Sequence, residues 1–93
     1  MSETLEALFR VVEGRKSDAP EGSYTARLFA MGKNEICKKV GEEGVEVVVA
    51  AQGETRERIV YESADLIYHL MVLLAAYDLT WQDVEAELAA RFK

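Results

Sequence analysis

Apolar residues recur at intervals of three and four positions along most of this chain, which is the spacing of one face of an α-helix. The first such stripe consists of Leu5, Leu8, Phe9 and Val12. A second consists of Ile36, Val40, Val47, Val48 and Ala51. The closely spaced valines from Val45 to Val49 would also suit a strand, but the periodicity continues back to Ile36. The pattern therefore predicts helices and an all-α fold class.

Helix-capping residues divide the chain into about five helices. Each predicted helix follows a residue whose side chain can accept a hydrogen bond from the first turn; these residues are Ser2, Ser23, Asn34, Thr55 and Thr80. The last of them begins a Thr-x-x-Asp capping box with Asp83, and Leu79 and Val84 occupy the positions of a hydrophobic staple. Gly14 to Gly22 contains the only proline and is predicted to be an exposed loop. These signals predict a compact helical bundle.

Length and apolar content predict one domain that needs a partner. With 93 residues, of which 49% are hydrophobic, the chain suffices for a single domain, 1–93. Leu66 to Tyr77 is apolar around most of its circumference and should be covered on several sides. The last helix should present an inner face formed by Trp81, Val84, Leu88 and Phe92. Because a core of this size is modest, we expect a homodimer.

The charge balance excludes several classes of partner. The formal net charge of −6 argues against a surface for nucleic acid or for an anionic membrane. Cys37 is the only cysteine, so no disulfide can form within the chain. The apolar stretch 66–77 is too short to span a bilayer, which takes about 20 residues. We therefore expect a soluble, cytoplasmic protein without a nucleic-acid or membrane partner.

Two acidic motifs stand on consecutive predicted helices. Glu-Glu-x-x-Glu comprises Glu42, Glu43 and Glu46, and Glu-x-x-Asp comprises Glu62 and Asp65. Helices joined by a short turn usually pack antiparallel, so all five carboxylates can converge on one site. Carboxylate oxygens favour hard ions such as Mg²⁺ or Mn²⁺. The pair of motifs, with valines on both sides of the first, predicts a metal site.

The acidic motifs have two alternative interpretations. A charged helical run is most often a solvated acidic face, but the second motif on the facing helix favours a metal site. A di-iron bundle would require Glu-x-x-His, whereas Asp65 stands three residues after Glu62. His69 lies one turn further on, and we expect it to form hydrogen bonds within the bundle.

Nearly the whole chain resembles one branch of a known superfamily. The paired acidic motifs resemble the metal signature of the all-α nucleotide pyrophosphatase superfamily. Within it, the chain is similar to the phosphoribosyl-ATP pyrophosphatase family. The similarity rests on Pro20 to Thr25, Leu28, Lys38 to Glu43, Glu62 to Leu66 and Tyr68 to Leu70. These stretches together are far more specific than the carboxylates alone.

This resemblance implies hydrolysis of phosphoribosyl-ATP to phosphoribosyl-AMP and pyrophosphate, the second step of histidine biosynthesis. It also implies a Mg²⁺ site at Glu42, Glu43, Glu46, Glu62 and Asp65, and a homodimer. The candidate catalytic residues are Glu42, Glu43, Glu46 and Lys39, because phosphoanhydride hydrolysis needs charge neutralisation on the phosphate oxygens. The candidate substrate-binding residues are Ser23, Tyr24, Thr25, Arg27, Lys38 and Lys39.

Three functions follow in order of preference. The first is the pyrophosphatase of histidine biosynthesis, acting on a small nucleotide. The second is a general nucleoside triphosphate pyrophosphatase of nucleotide-pool housekeeping with the same metal site. The third is a non-catalytic helical interaction module. The carboxylates alone do not separate the first two, since a metal site is shared by relatives that act on other nucleotides.

Overall fold

A computed structural model describes residues 3–92, and these form five α-helices and no strand. The helices are α1 (Glu3–Gly14), α2 (Tyr24–Met31), α3 (Lys33–Gly53), α4 (Arg56–Ala76) and α5 (Trp81–Arg91). The all-α fold class and the number of helices are therefore confirmed. The predicted Ser2 cap lies outside the described residues.

Most helix starts follow their capping side chains. Ser23 accepts a hydrogen bond from the backbone of Ala26, and Thr55 accepts one from Arg58. Thr80 and Asp83 form the predicted capping box at the start of α5. A staple contact between Leu79 and Val84 stays a prediction.

The start predicted at Asn34 is wrong. α3 begins at Lys33 after Gly32, and no side chain caps it. Gly32 has φ +98°, a backbone conformation that residues other than glycine rarely adopt. Its amide donates to the Phe29 carbonyl oxygen at 3.2 Å, while its own carbonyl oxygen accepts from Ile36. Gly32 thus ends α2 and starts α3, so that Asn34 falls inside the first turn.

The long helices α3 and α4 form an antiparallel hairpin. At its closed end Arg58 Nε lies 3.6 Å from Glu54 Oε1. At its open end the Tyr77 hydroxyl lies 4.0 Å from Cys37 Sγ. The two helices pack against each other between these ends, which positions side chains from the middle of each helix opposite one another.

The core lies where α1, α2 and α5 pack on this hairpin. Its buried apolar members are Phe9, Val12, Leu28, Ile36, Met71, Val72, Leu74, Ala75 and Trp81. α4 contributes the largest share, as expected for the segment that is apolar on most sides. Lys16, in the loop after α1, fastens the far end of α4: its Nζ donates to the Ala75 carbonyl oxygen at 2.8 Å and to Asp78 at 2.6 Å.

The predicted inner face of α5 is only half correct. Trp81 is buried and Val84 packs against the core. Leu88 and Phe92, however, are 51% and 87% exposed. The amphipathic stripe exists, but its far half is not covered by the described residues of this chain.

α4 also meets the length and composition criteria for crossing a membrane, with a mean hydropathy of 1.5 over an 18-residue window. This extends the apolar segment beyond the limits of 66–77. The core helix of a soluble protein meets the same criteria. Met71, Val72, Leu74 and Ala75 are all buried inside this bundle, so α4 serves here as its core helix.

Candidate active site

The hairpin brings a small set of acidic and imidazole side chains together at its middle. Glu43 of α3 and Asp65 and His69 of α4 each place one ligand-type atom within 4.8 Å of the other two. Glu43 and His69 are buried and Asp65 is half-buried. Asp65 and His69 share a face because they are four residues apart on one helix. The cluster therefore spans the α3–α4 interface.

The electrostatics of Glu43 show how crowded this cluster is. Burial raises the pKa of Glu43 from 4.5 to about 7, and a hydrogen bond with Asp65 adds to the effect. Repulsion from the carboxylates of Asp65 and Glu62 raises this pKa further, while Lys39 opposes the rise. Without a cation the site stabilises a proton on Glu43. Such a cluster of carboxylates is suited to binding positive charge.

Glu62 belongs to the same neighbourhood but has a partner of its own. Its side chain is buried, and Oε2 accepts a hydrogen bond from Arg58 Nη2 at 2.5 Å. Arg58 also lies beside Glu54 at the helix turn. Arg58 is not among the site residues predicted from the sequence, although it stands four residues before Glu62, which is the spacing of an ion pair within a helix.

The other two predicted ligands border the cluster on its exposed side. Glu42 and Glu46 are both exposed, and Glu42 pairs with Lys39 at 3.7 Å. The structure thus gathers Glu43, Glu62 and Asp65 at the interface, and it leaves Glu42 and Glu46 facing solvent.

The start of α2 lies against α4 beside the cluster. Ser23 is occupied as the helix cap. The Tyr24 hydroxyl is 3.1 Å from His69 Nε2, and the Thr25 hydroxyl is hydrogen-bonded to that of Tyr68. The three predicted substrate-binding side chains of this segment therefore all make hydrogen bonds within the protein. The contacts to Tyr68 and His69 bridge more than 40 positions of sequence, and no local pattern indicates them.

The predicted cationic residues differ in their placement. Lys39 is half-buried beside the acidic cluster, and its pKa is raised, first by the neighbouring Tyr24 phenol and then by Glu42 and Glu43, against the opposing effect of desolvation. Lys38 is exposed. The Arg27 guanidinium lies 5.6 Å from the centre of the Tyr24 ring. Of the predicted cations, Lys39 thus lies beside the carboxylates and Arg27 beside Tyr24 at the start of α2.

The hydrogen-bonding role expected for His69 is confirmed. Nδ1 lies 2.8 Å from the backbone oxygen of Asp65 and 3.4 Å from its Oδ1, while Nε2 faces Tyr24. Both nitrogens thus have partners in the protein. The donors left for a cation are carboxylate oxygens, which fit a hard divalent ion such as Mg²⁺ better than a redox iron centre.

Comparison with known proteins places these observations in a family. The model of the phosphoribosyl-ATP pyrophosphohydrolase family matches residues 5–92. The phosphoribosyl-ATP pyrophosphatase of Metallosphaera sedula is 52% identical over 93 residues, which is the full length of both chains. That of Geobacter sulfurreducens is 52% identical over 88 residues, covering 95% of this chain and 82% of the relative.

A longer relative shows the same similarity over part of its length. The histidine biosynthesis bifunctional protein HisIE of Caldanaerobacter subterraneus subsp. tengcongensis is 50% identical over 91 residues. The match covers 98% of this chain and 44% of that protein. In all three comparisons the similarity extends over nearly all of the present chain.

Proposed function

This chain belongs to the phosphoribosyl-ATP pyrophosphohydrolase family, and on that premise we infer that it hydrolyses phosphoribosyl-ATP as an enzyme of histidine biosynthesis. The products are phosphoribosyl-AMP and pyrophosphate. The observation that carries the inference is the Glu43–Asp65 carboxylate pair across the α3–α4 interface, which lies inside a chain that matches the family from residue 5 to residue 92.

We propose that the carboxylate cluster binds Mg²⁺, with Mn²⁺ as an alternative ion. Glu43 and Asp65 would hold it from the two facing helices, Glu62 from the buried side, and Glu42 and Glu46 from the open side. When bound, the ion supplies positive charge to the non-bridging oxygens of the phosphate chain. The raised pKa of Glu43 supports the proposal because burial, and then the neighbouring Asp65 and Glu62 carboxylates, disfavour a negative charge there that a bound cation would compensate.

The protein groups around the cluster would position the substrate. Lys39 supplies a mobile positive charge at the edge of the carboxylates, where it can contact a phosphate oxygen. Arg27 and the free backbone amides at the start of α2 offer further donors to an anion. Tyr24 and Thr25 would act through the packing of α2 on α4, since their hydroxyls are engaged there. Lys38 is the weaker candidate because it is exposed.

Substrate choice would depend on donors away from the metal. Phosphoribosyl-ATP carries a second ribose phosphate that ATP lacks, and the start of α2 with Arg27 lies on one side of the cluster. The deciding experiment compares pyrophosphate release from both compounds with Mg²⁺. We expect phosphoribosyl-ATP to be preferred at least tenfold in kcat/KM, about 1.4 kcal/mol of transition-state discrimination. Equal efficiency would favour a general nucleoside triphosphate pyrophosphatase.

The metal requirement has its own test. Excess EDTA should abolish turnover while the helical circular dichroism spectrum is retained. Replacing Asp65 or Glu46 by Ala should lower turnover by roughly a hundredfold, because charge developing in the transition state loses its counter-ion. Undiminished activity in EDTA would exclude the metal role.

We further propose that the enzyme works as a cytoplasmic homodimer. Exposed apolar side chains are concentrated near the closed end of the hairpin, on the second half of α3 and the first half of α4; they are Val45, Val48, Val49, Val60 and Tyr61. Apolar surface of this kind on a small domain supports burial against a second copy. The expected coverage of the 66–77 segment, by contrast, is largely provided by the chain itself.

A further inference from the structure

Two consecutive residues of α2 are hydrogen-bonded to two consecutive residues of α4. Tyr24 contacts His69, and Thr25 contacts Tyr68; we call these four residues the α2–α4 clasp. The rings of Tyr24 and Tyr68 are also stacked, with their centroids 6.3 Å apart, and the His69 ring meets both edge-on. The clasp therefore holds the first turn of α2 rigidly against the part of α4 that follows Asp65.

The hydrogen bonds of His69 determine where its proton resides. The partner of Nδ1 is the backbone oxygen of Asp65, at 2.8 Å, and a carbonyl oxygen can only accept. Nδ1 must therefore carry the proton. In the neutral ring Nε2 is then an acceptor, so the Tyr24 hydroxyl must donate to it across 3.1 Å. Tyr24 thus supplies the donor that Nε2 requires in this tautomer and holds the ring with its Nδ1–H directed at Asp65.

That N–H also faces the carboxylate. The distance from Nδ1 to Asp65 Oδ1 is 3.4 Å, so His69 limits the directions in which the Asp65 side chain can turn. The ring itself is buried to 4% exposure and has no freedom to move while Tyr24 is in place. A chain of contacts therefore leads from the start of α2, through one imidazole, to a carboxylate that meets Glu43 across the hairpin.

We propose that Tyr24 and His69 are positioning residues that orient the Asp65 carboxylate, and that the α2–α4 clasp couples the first turn of α2 to the affinity of the carboxylate cluster for Mg²⁺. The proposal rests on the proposed function, because it takes the cluster as the cation site. Groups that orient a metal-binding side chain in this way typically affect metal affinity by 10- to 100-fold. His69 acts here as a donor to Asp65 and is not itself a ligand.

The test uses the substitution Tyr24→Phe, which removes one hydroxyl and keeps the ring. His69 is the only histidine in the chain, so its imidazole ¹⁵N resonances are assigned without ambiguity. In the native protein without metal we expect the tautomer protonated at Nδ1 with Nε2 accepting a hydrogen bond, and in the variant the same tautomer with the Nε2 resonance shifted by the loss of that bond. We also expect Mg²⁺ to bind the variant roughly tenfold more weakly in calorimetry without substrate. Turnover at saturating Mg²⁺-substrate should show a loss in kcat larger than the change in KM.

Tyr77→Phe is the matched control. Tyr77 is an exposed tyrosine just beyond the end of α4, and it loses the same hydroxyl at a distance from the cluster. Neither the Nε2 resonance of His69 nor the Mg²⁺ affinity should change in this variant. An effect equal to that of Tyr24→Phe would overturn the proposal, because it would reveal a general loss of stability.

A second pair of variants tests the donor directly. His69→Asn retains an N–H close to the position of Nδ1, whereas His69→Leu retains none. We expect the asparagine variant to keep a Mg²⁺ affinity clearly nearer the native value. Equal losses in both variants would overturn the positioning role.

Two further results would also overturn it. One is an unchanged Mg²⁺ affinity with a raised KM in Tyr24→Phe, which would make Tyr24 a direct substrate contact. The other is a large shift of a His69 ¹⁵N resonance on adding Mg²⁺ that indicates direct coordination. If the native protein instead bound Mg²⁺ as expected but released no pyrophosphate from phosphoribosyl-ATP, the proposed function would fail while the clasp remained supported.

Discussion

Arg58 donates a hydrogen bond to Glu62 at 2.5 Å, and this pair neutralises the most deeply buried carboxylate beside the proposed cation site. A cation at the cluster and Arg58 therefore compete for the same oxygen. We expect Arg58→Gln to bind Mg²⁺ several-fold more tightly while the metal-free protein loses about 1 kcal/mol of stability, a modest loss because the arginine is half-exposed.

Calorimetric titration and chemical denaturation measure the two effects. Arg56→Gln is the matched control, since Arg56 is an exposed arginine in the same turn of α4. Weaker Mg²⁺ binding in Arg58→Gln would mean that Arg58 assists the site by holding Glu62 in place.

The pH dependence of stability should reflect Glu43. Its pKa is raised from 4.5 to about 7 in the folded protein, mainly by burial and then by Asp65. Between these two values the folded state holds a proton that the unfolded chain has released, so the free energy of unfolding falls as pH rises. We expect the metal-free protein to be more stable at about pH 5 than at about pH 8.

Denaturation in EDTA at both pH values measures this fall. Glu43→Gln should show a smaller difference between the two, because an amide cannot titrate. Saturating Mg²⁺ should restore stability at the higher pH, where the ion takes the place of the proton. An identical pH dependence of stability in the native protein and the variant would show that a group other than Glu43 titrates.

Two neighbouring lysines offer a matched comparison of phosphate binding. Lys39 lies at the acidic cluster, and its pKa is raised by the Tyr24 phenol and by Glu42 and Glu43. Lys38 is exposed. We expect Lys39→Met to lower kcat/KM by about tenfold or more, through the loss of one charge-assisted contact to phosphate, and Lys38→Met to have little effect. Steady-state pyrophosphate release measures both, and equal effects would argue for general electrostatic attraction.

The dimer should depend on the exposed valines of the hairpin. Val48 and Val60 are 56% and 69% exposed, so charges introduced there would be tolerated in a monomer and would oppose association. We expect Val48→Asp with Val60→Asp to weaken the dimer at least tenfold in sedimentation velocity, because like charges are forced into an apolar interface. Val11→Asp, on exposed surface of α1, should not. An unaltered dimer affinity in the double variant would show that the interface lies on another surface, such as the end of α5.

Local patterns predicted most of the fold. Ser23, Thr55 and Thr80 cap helices as expected, because a cap depends only on a side chain and the three residues that follow it. The helix start predicted at Asn34 is wrong because the conformation of Gly32, two residues earlier, already starts the helix. The predicted burial of Leu88 and Phe92 is wrong for a different reason. An apolar stripe shows that a helix face is suited to burial, but it does not show which chain buries that face.

The site was predictable from sequence where local helical spacing determines it. Glu43 and Asp65 meet because helical spacing and a short turn place them on facing surfaces, and both properties can be read from sequence. The pairing of Tyr24 with His69 depends on how α2 packs on α4 across 45 positions of sequence, which no local rule specifies. For this reason the sequence does not predict that the hydroxyls of Tyr24 and Thr25 bind α4, and substrate binding by this segment stays a prediction.

The turn that joins α3 to α4 consists of Glu54 and Thr55 alone, and this has a consequence for the order of folding. Closing so short a loop costs little chain entropy, and contacts between segments adjacent in sequence form early. Glu43 and Asp65 both lie on this hairpin, whereas Tyr24 reaches His69 only after α2 docks. We therefore expect a refolding chain to acquire affinity for Mg²⁺ in an early kinetic phase, before the clasp closes and brings that affinity to its final value.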